Sequence, residues 1–388
     1  MFALRCPGCN AVVDPLVGWK CPNAADDSVD HVLVWESDEQ ADTGIDTSSE
    51  NPFIRYRNRL HSYALARRLG MADAEFVALV EHLDAGLGFR RTPFVVDDVL
   101  GGIKDETGNV AGSHKGRHLF GVLLHLELRG SQDPLAIASC GNAALAAATI
   151  AHAVARRLTA YVPVWADEDV VARLRVLGAE VVHCERRAGE SGDPSVRRFR
   201  EAVADGAVPF SCQGTDNALT IDGGRTIGWE LAEQLQAAGY APDAVFVQVG
   251  GGALASAVAQ SIALPLYAVQ SEGCAPLVRA HTALRQLRLT ASDAARRRRD
   301  VMWAWEHEPQ SVAEGILDDE TYDWRAILHA IEERGGGVIA VSEDQLMQAN
   351  ELAQDRGFSV STTGSAGLAG RLPLLERHPV AVSLFTGR

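Results

Sequence analysis

From Ile103 onward, short apolar runs of strand length alternate with stretches whose apolar residues recur every three or four positions. Strands are expected at Leu135–Ser139, Ala160–Val164, Glu180–Cys184, Ala244–Val249, Leu266–Gln270, Val338–Val341 and Val380–Phe385. Helical periodicity fills the gaps, over Asn142–Arg157, Asp167–Leu177, Pro194–Ala204, Gly223–Ala237, Ala253–Ile262, Ala275–Leu287, Trp324–Glu333, Glu343–Arg356 and Gly364–Glu376. Strand and helix in alternation predict an α/β fold of open, twisted sheets with flanking helices and right-handed crossovers. Upstream, Asn51 opens a helical segment running to about Leu69, a second helix covers Asp73 to Leu83, and Arg91–Val96 reads as entry into a strand. The first fifty residues lack this rhythm, and the acidic, Ser/Thr-rich stretch from Glu36 to Glu50 reads as a linker.

At 388 residues the natural expectation is two domains, and 47% apolar residues suffice for large cores. The net charge of −15 argues against nucleic-acid and anionic-membrane partners, which need clustered Lys and Arg. Arg296–Arg299 is the one basic run, read as a solvated loop. No apolar run reaches the roughly 18 residues of a membrane span. The start, Met1 to Cys6, has no signal-peptide layout, and seven cysteines in a large, core-rich chain read as reduced cytosolic thiols.

Five stretches carry candidate chemistry. Gly112-Ser113-His114-Lys115-Gly116 joins a short strand, Gly102–Glu106, to the apolar stretch Leu119–Leu126. A lysine where a loop enters a helix can pack its stem and aim its amine into a cleft. A cleft that excludes water favours the neutral amine, the form that attacks an aldehyde. The rival reading is a solvated first-turn lysine. Ser139-Cys140-Gly141-Asn142 sits between a buried strand and an Ala-rich helix, whose first-turn N–H groups suit a carboxylate. An ordinary N-cap at Ser139 or Asn142 explains the same letters. Gly250-Gly251-Gly252-Ala253 follows a strand and opens a helix, a phosphate-cradle layout. It also satisfies the looser dinucleotide fingerprint Gly250-x-Gly252-x-x-Ala255, with Glu272 twenty residues on. Thr386, just past the last strand, can hydrogen-bond a ring nitrogen, or else belong to a frayed end. Near the start, Cys6-Pro7-Gly8-Cys9, Cys21 and His31 form an irregular candidate zinc set, since Ala24 stands where a ribbon would repeat its cysteine; free thiols are the rival.

In this order along the chain, the pieces resemble the fold type II pyridoxal-phosphate enzymes, the tryptophan synthase β superfamily, over residues 51 to 388. Threonine synthases are the most similar in layout. They tend to carry an N-terminal Cys-x-x-Cys segment and a start like Asn51-Pro52-Phe53-Ile54-Arg55-Tyr56, and Thr220–Thr226 and Gln270–Leu277 look similar to theirs. The resemblance implies that Lys115 is the Schiff-base lysine and that Ser139, Cys140, Gly141 and Asn142 hold the substrate carboxylate, with Asn142 also facing the cofactor's phenolic oxygen. It implies that Gly250, Gly251, Gly252 and Ala253 cradle the phosphate and that Thr386 meets the pyridine nitrogen. His114 resembles the tryptophan synthase β variant, in which this histidine helps hold the phosphate. The chain departs from threonine synthase at Gln213–Leu219, which holds no base and one acid, so a second phosphate site is in doubt. The terminal motif also stops short, at Thr386-Gly387-Arg388.

The expected arrangement is a Cys-bearing segment and linker at 1–50, a large cofactor-binding domain from 51–118 and 212–388, and a small mobile domain at 119–211 that closes over the substrate. The expected protein is a cytoplasmic homodimer using pyridoxal 5′-phosphate on a small L-amino acid. Lys115 then serves as general base at Cα, and the neutral Thr386 favours loss or replacement of a side-chain leaving group over transamination. Gln213, Asp216 and Glu314 are weighed for specificity, against solvated loops. Two other classes stay open: a nicotinamide-dependent dehydrogenase, and a non-catalytic amino-acid-binding protein on the same scaffold.

Overall fold

A computed structural model describes residues 3–36, 44–190 and 193–388. The strands in chain order are β1 (Ala3–Arg5), β2 (Val12–Val13), β3 (Val34–Glu36), β4 (Phe94–Asp97), β5 (Gly101–Asp105), β6 (Leu135–Ala138), β7 (Leu158–Pro163), β8 (Glu180–Cys184), β9 (Val208–Pro209), β10 (Ala244–Gln248), β11 (Leu266–Ser271), β12 (Gly336–Val341) and β13 (Ala381–Phe385). The described residues fall into two compact units. One gathers residues 3–36, Arg91–Gly108 and Gln213–Arg388; the other gathers 44–90 and Asn109–Cys212.

The first unit holds a six-stranded sheet in the order β12-β11-β10-β13-β5-β4. All neighbours run parallel except β4, which pairs antiparallel with β5 at one edge. The inner strands β10, β11 and β13 are buried at every position, as expected for parallel strands covered on both faces. Alternate residues of β10 feed two cores: Val245 and Val247 join one, Ala244 and Phe246 the other. At the far edge, Gly336 takes φ +111°, and a Cβ there would lie 1.9 Å from Leu266 O, so only glycine lets β12 pair with β11. A small antiparallel sheet, β2-β1-β3, belongs to the same unit.

The second unit holds a parallel sheet in the order β8-β7-β6-β9. Its helices Lys115–Leu128 and Asn142–Ala153 pack against each other. The expected helix from Asn51 to Leu69 is broken into Pro52–Arg55, a 3₁₀ turn at Arg57–Arg59, and His61–Arg68. Leu60, buried and extended, turns the chain between the last two pieces. Arg57 is held by Asp46 at 2.6 Å and Asp73 at 2.7 Å, so tertiary contacts override local periodicity. Residues 37–43 of the expected linker lie outside the described residues. From residue 44 on, the stretch is anchored, because Asp46 also takes the Ser48 hydroxyl at 2.5 Å.

Two further expectations differ in detail from the structure. Residues 51–90 and 109–118 group with the second unit, because Phe53 and Phe89 pack edge and tilt onto Phe120 of the Lys115 helix, with ring centroids 4.5 to 5.3 Å apart. The basic run is exposed at Arg296, Arg297 and Arg299, as the solvated reading expects, yet it also makes contacts. Arg296 donates to Gly8 O, Arg298 pairs with Glu320, and Arg299 reaches Asp26 at 2.6 Å. Among the described residues no helix is long and apolar enough to cross a membrane.

Candidate active site

Lys115 opens a helix that is buried almost all round, from Gly116 to Leu126. The chain reaches it through a tight turn at Val110–Gly112, in which Ala111 (φ 58°) and Gly112 (φ 74°) both adopt left-handed backbone. A non-glycine residue in that region is uncommon and carries local strain. Gly116 lets the helix press onto the turn: a Cβ there would sit 3.2 Å from Val110 O and 3.4 Å from the Phe89 ring. His114 is buried, 5.8 Å ring to ring from His118. Lys115 itself is partly buried. Burial pushes the neighbouring Cys212 thiol up, and the Lys115 charge offsets this only in part.

The same unit carries Ser139 to Asn142, between β6 and the helix Asn142–Ala153. The N-cap is Gly141, with no side-chain cap. The alternative of Ser139 or Asn142 as N-cap is therefore not realised. This helix also packs on the Val110–Gly112 turn that delivers Lys115. The lysine and the carboxylate-loop candidates are thus brought together within one unit.

The first unit carries the other two pieces. Gly250, Gly251 and Gly252 leave the C-terminal end of β10, and Gly252 (φ 98°) starts the helix Ala253–Ala259. The loop already accepts an oxyanion: Gly251 N–H donates to Asp318 Oδ2 at 2.7 Å. A Cβ on Gly250 would lie 2.4 Å from that oxygen, and one on Gly251 would lie 2.9 Å from the Tyr322 ring. A carboxylate oxygen held on a backbone amide of this loop shows that its donor fits an anion such as a phosphate. Asp318 and Tyr322, which supply these contacts, were missed in the sequence because nothing local marks them.

Thr386 is buried, contrary to the frayed-end reading. Its hydroxyl oxygen accepts from Gln248 Nε2 at 2.6 Å. The same Nε2 donates to Thr363 O and Gly364 O, and these two carbonyls fix which way the amide points. Gln248 was not singled out; the signal was a polar residue closing an otherwise apolar strand.

The remaining candidates divide. Asp216 is buried, so the solvated-loop reading fails for it, whereas Glu314 is exposed and Gln213 partly so. Nearby, Asp323 accepts from Gly214 N–H at 3.3 Å. Burial pushes its carboxyl up to about 7, with the Gly214 bond and Arg325 opposing and Asp30 and Asp216 adding to the rise. Cys6, Cys9, Cys21 and His31 converge at a separate place in the first unit.

A family model described as pyridoxal-phosphate dependent enzyme matches residues 88–387. The tryptophan synthase beta chain of Mycobacterium intracellulare is 29% identical over 197 residues, 46% of this chain and 47% of that one. The chain therefore spans about half the length of that relative. A threonine synthase of Bacillus sp. (strain ULM1) is 22% identical over 301 residues, 73% of this chain and 76% of its own. Among solved structures, a threonine deaminase of T.th. superposes with a TM-score of 0.63 at 24% identity, covering 80% of this chain and 96% of that one. Maize serine racemase gives 0.63 at 18% identity, covering 81% and 93%. These two show likeness of fold.

Proposed function

Since the chain belongs to the pyridoxal-phosphate-dependent enzyme family, we propose that it acts on a small L-amino acid by elimination or replacement at the side chain. Membership overturns the nicotinamide reading of the glycine loop, and Glu272, the acid that reading needs, is exposed.

The observation that carries the reading is the hydrogen bond from Gln248 to Thr386. Because Gln248 donates to Oγ1, the Thr386 proton is directed to another acceptor. A ring nitrogen placed there would meet a neutral hydroxyl donor, which would disfavour its protonation. When bound, the cofactor supplies the electron sink for a carbanion at the substrate Cα. By holding that ring nitrogen unprotonated, Thr386 would favour loss of a β leaving group over transamination. In this reading Lys115 attaches the cofactor and moves the proton at Cα. The first-turn N–H groups after Gly141 bind the substrate carboxylate, and Asn142 donates to the cofactor's phenolic oxygen. The amides of Gly250 to Ala253 bind the phosphate, with His114 supporting it. A homodimer in the cytoplasm belongs to the same proposal.

The experiment is an amino-acid panel against the yellow holoenzyme, followed for ammonia and 2-oxo acid, with chiral analysis of recovered substrate. Ammonia with 2-oxo acid from a β-substituted amino acid is the expected result. Racemised substrate without 2-oxo acid would assign a racemase instead, and spectral shifts with no product would assign a binding protein. Borohydride reduction and peptide mapping are expected to place the pyridoxyl mass on the Lys115 peptide, and a reducible adduct surviving in Lys115→Ala overturns the attachment site.

A further inference from the structure

We propose that Cys6, Cys9, Cys21 and His31 form a closed, structural zinc site that holds the N-terminal sheet on the first unit. The four donor atoms lie within 4.8 Å of one another. Cys9 Sγ and Cys21 Sγ are 3.5 Å apart, and Cys6 Sγ is 3.6 Å from His31 Nδ1. A tetrahedral ion with bonds of about 2.3 Å to sulfur and about 2.0 Å to nitrogen needs donor separations of roughly 3.5 to 3.8 Å. The two pairs have those separations, and a disulfide, at about 2.05 Å, does not.

The surroundings are built for thiolates and an oriented imidazole. Cys9 N–H donates to Cys6 Sγ and Asn23 Nδ2 donates to Cys9 Sγ, each at 3.4 Å. His31 turns Nδ1 to the cluster while Nε2 lies 3.4 Å from the Asp27 carboxylate. A carboxylate behind a ligating histidine fixes its tautomer and raises its basicity. Cys6 and Cys21 are almost wholly buried, so water has little access. Four protein donors leave no open position, which makes the site structural. Three thiolates and an imidazole suit zinc better than magnesium or calcium, which take oxygen ligands.

The need for a metal follows from the size of the element. Its strands have only three, two and three residues, too little to hold themselves in place. The body grips the same loops: Asp30 N–H donates to Ala295 O at 2.7 Å and Arg298 N–H to Ser28 O at 2.7 Å, while Asp30 faces Arg325 at 3.5 Å. The ion thus gives the Arg296–Arg299 run a rigid surface to hold.

The full chain, carrying its cofactor and purified without chelator, is expected to contain stoichiometric zinc by mass spectrometry of metals. Cys184→Ser, which alters a cysteine of the other unit, keeps that zinc; Cys9→Ser and Cys21→Ser lose most of it. If those variants fail to fold, the wild type still decides. Cobalt exchanged into it is expected to give thiolate charge-transfer bands and the intense d–d bands of a tetrahedral site. The proposal is overturned by zinc retained in the Cys9→Ser, Cys21→Ser double variant, by cobalt lacking those bands, or by folded, metal-free protein that takes up no zinc after reduction. A Cys9–Cys21 disulfide in that metal-free protein would name the alternative.

Discussion

Ala111 shows how much the placing of one lysine asks of its neighbours. It sits at φ 58° in the turn that delivers Lys115, and a second left-handed residue, Gly112, follows it. Ala111→Gly is expected to leave stability unchanged or to raise it by up to about 1 kcal/mol, since glycine removes the left-handed strain at an entropic cost. Ala111→Val, β-branched, is expected to cost on the order of 2 kcal/mol or more, read as a fall in melting temperature. Asp318 is the other telling residue. Its carboxylate occupies the Gly251 amide, so in the proposed reading a phosphate would have to displace it and then bear a like charge nearby. Asp318→Asn is expected to lower the Kd for pyridoxal phosphate by roughly 5-fold, about 1 kcal/mol of repulsion relieved. Titration of apoenzyme with cofactor checks this, and weaker binding in the variant would contradict it.

Among elements, β12 depends on one position. Gly336 lies so close to Leu266 O that no side chain fits, and its φ of +111° suits glycine alone. Gly336→Ala is expected to destabilise the first unit by on the order of 3 kcal/mol, because backbone would have to move and the edge pairing with β11 would be lost. Chemical denaturation reads the loss. The helix Lys115–Leu128 makes a different point. Its apolar run was visible in the sequence, yet the burial of Arg117, His118 and His125 beside it was not. Periodicity reports the apolar share of a helix; how far neighbours wrap round its polar share is decided elsewhere.

At the scale of the molecule, stability should depend on pH through Asp323. Its folded carboxyl titrates near 7, above the ordinary value of 3.8. Between those values the native state binds more protons than the unfolded state, so stability falls as pH rises. The contribution is fully present below the unfolded value and is lost as pH passes the folded one. Asp323→Asn, which keeps an acceptor for Gly214 N–H, is expected to match the wild type at pH 4 and to exceed it in melting temperature at pH 8. Equal melting temperatures at both pH values would remove Asp323 from the account.

Apart from the two-residue β9 and the separate short helix Thr220–Gly224, the strands and helices after Ile103, the lysine at the mouth of a helix, the triple glycine after a strand and the hydroxyl after the last strand were legible in the linear chain. Each is a local matter: a period of side chains, or a turn whose residues lie within a few positions of one another. What the tertiary structure alone decided is pairing over distance. Lys104, in an expected strand, is wholly buried because Glu230 meets it at 2.5 Å from 126 residues away. Gln248 finds Thr386 across 138 residues, and Asp318 finds Gly251 across 67. The exposed arginines of the basic run also reach the N-terminal loops over distance, Arg296 to Gly8 O across 288 residues and Arg299 to Asp26 across 273. A charged or polar side chain is stable in the interior only opposite a partner, and the partner's position is set by how sheets and helices stack, which no local pattern encodes.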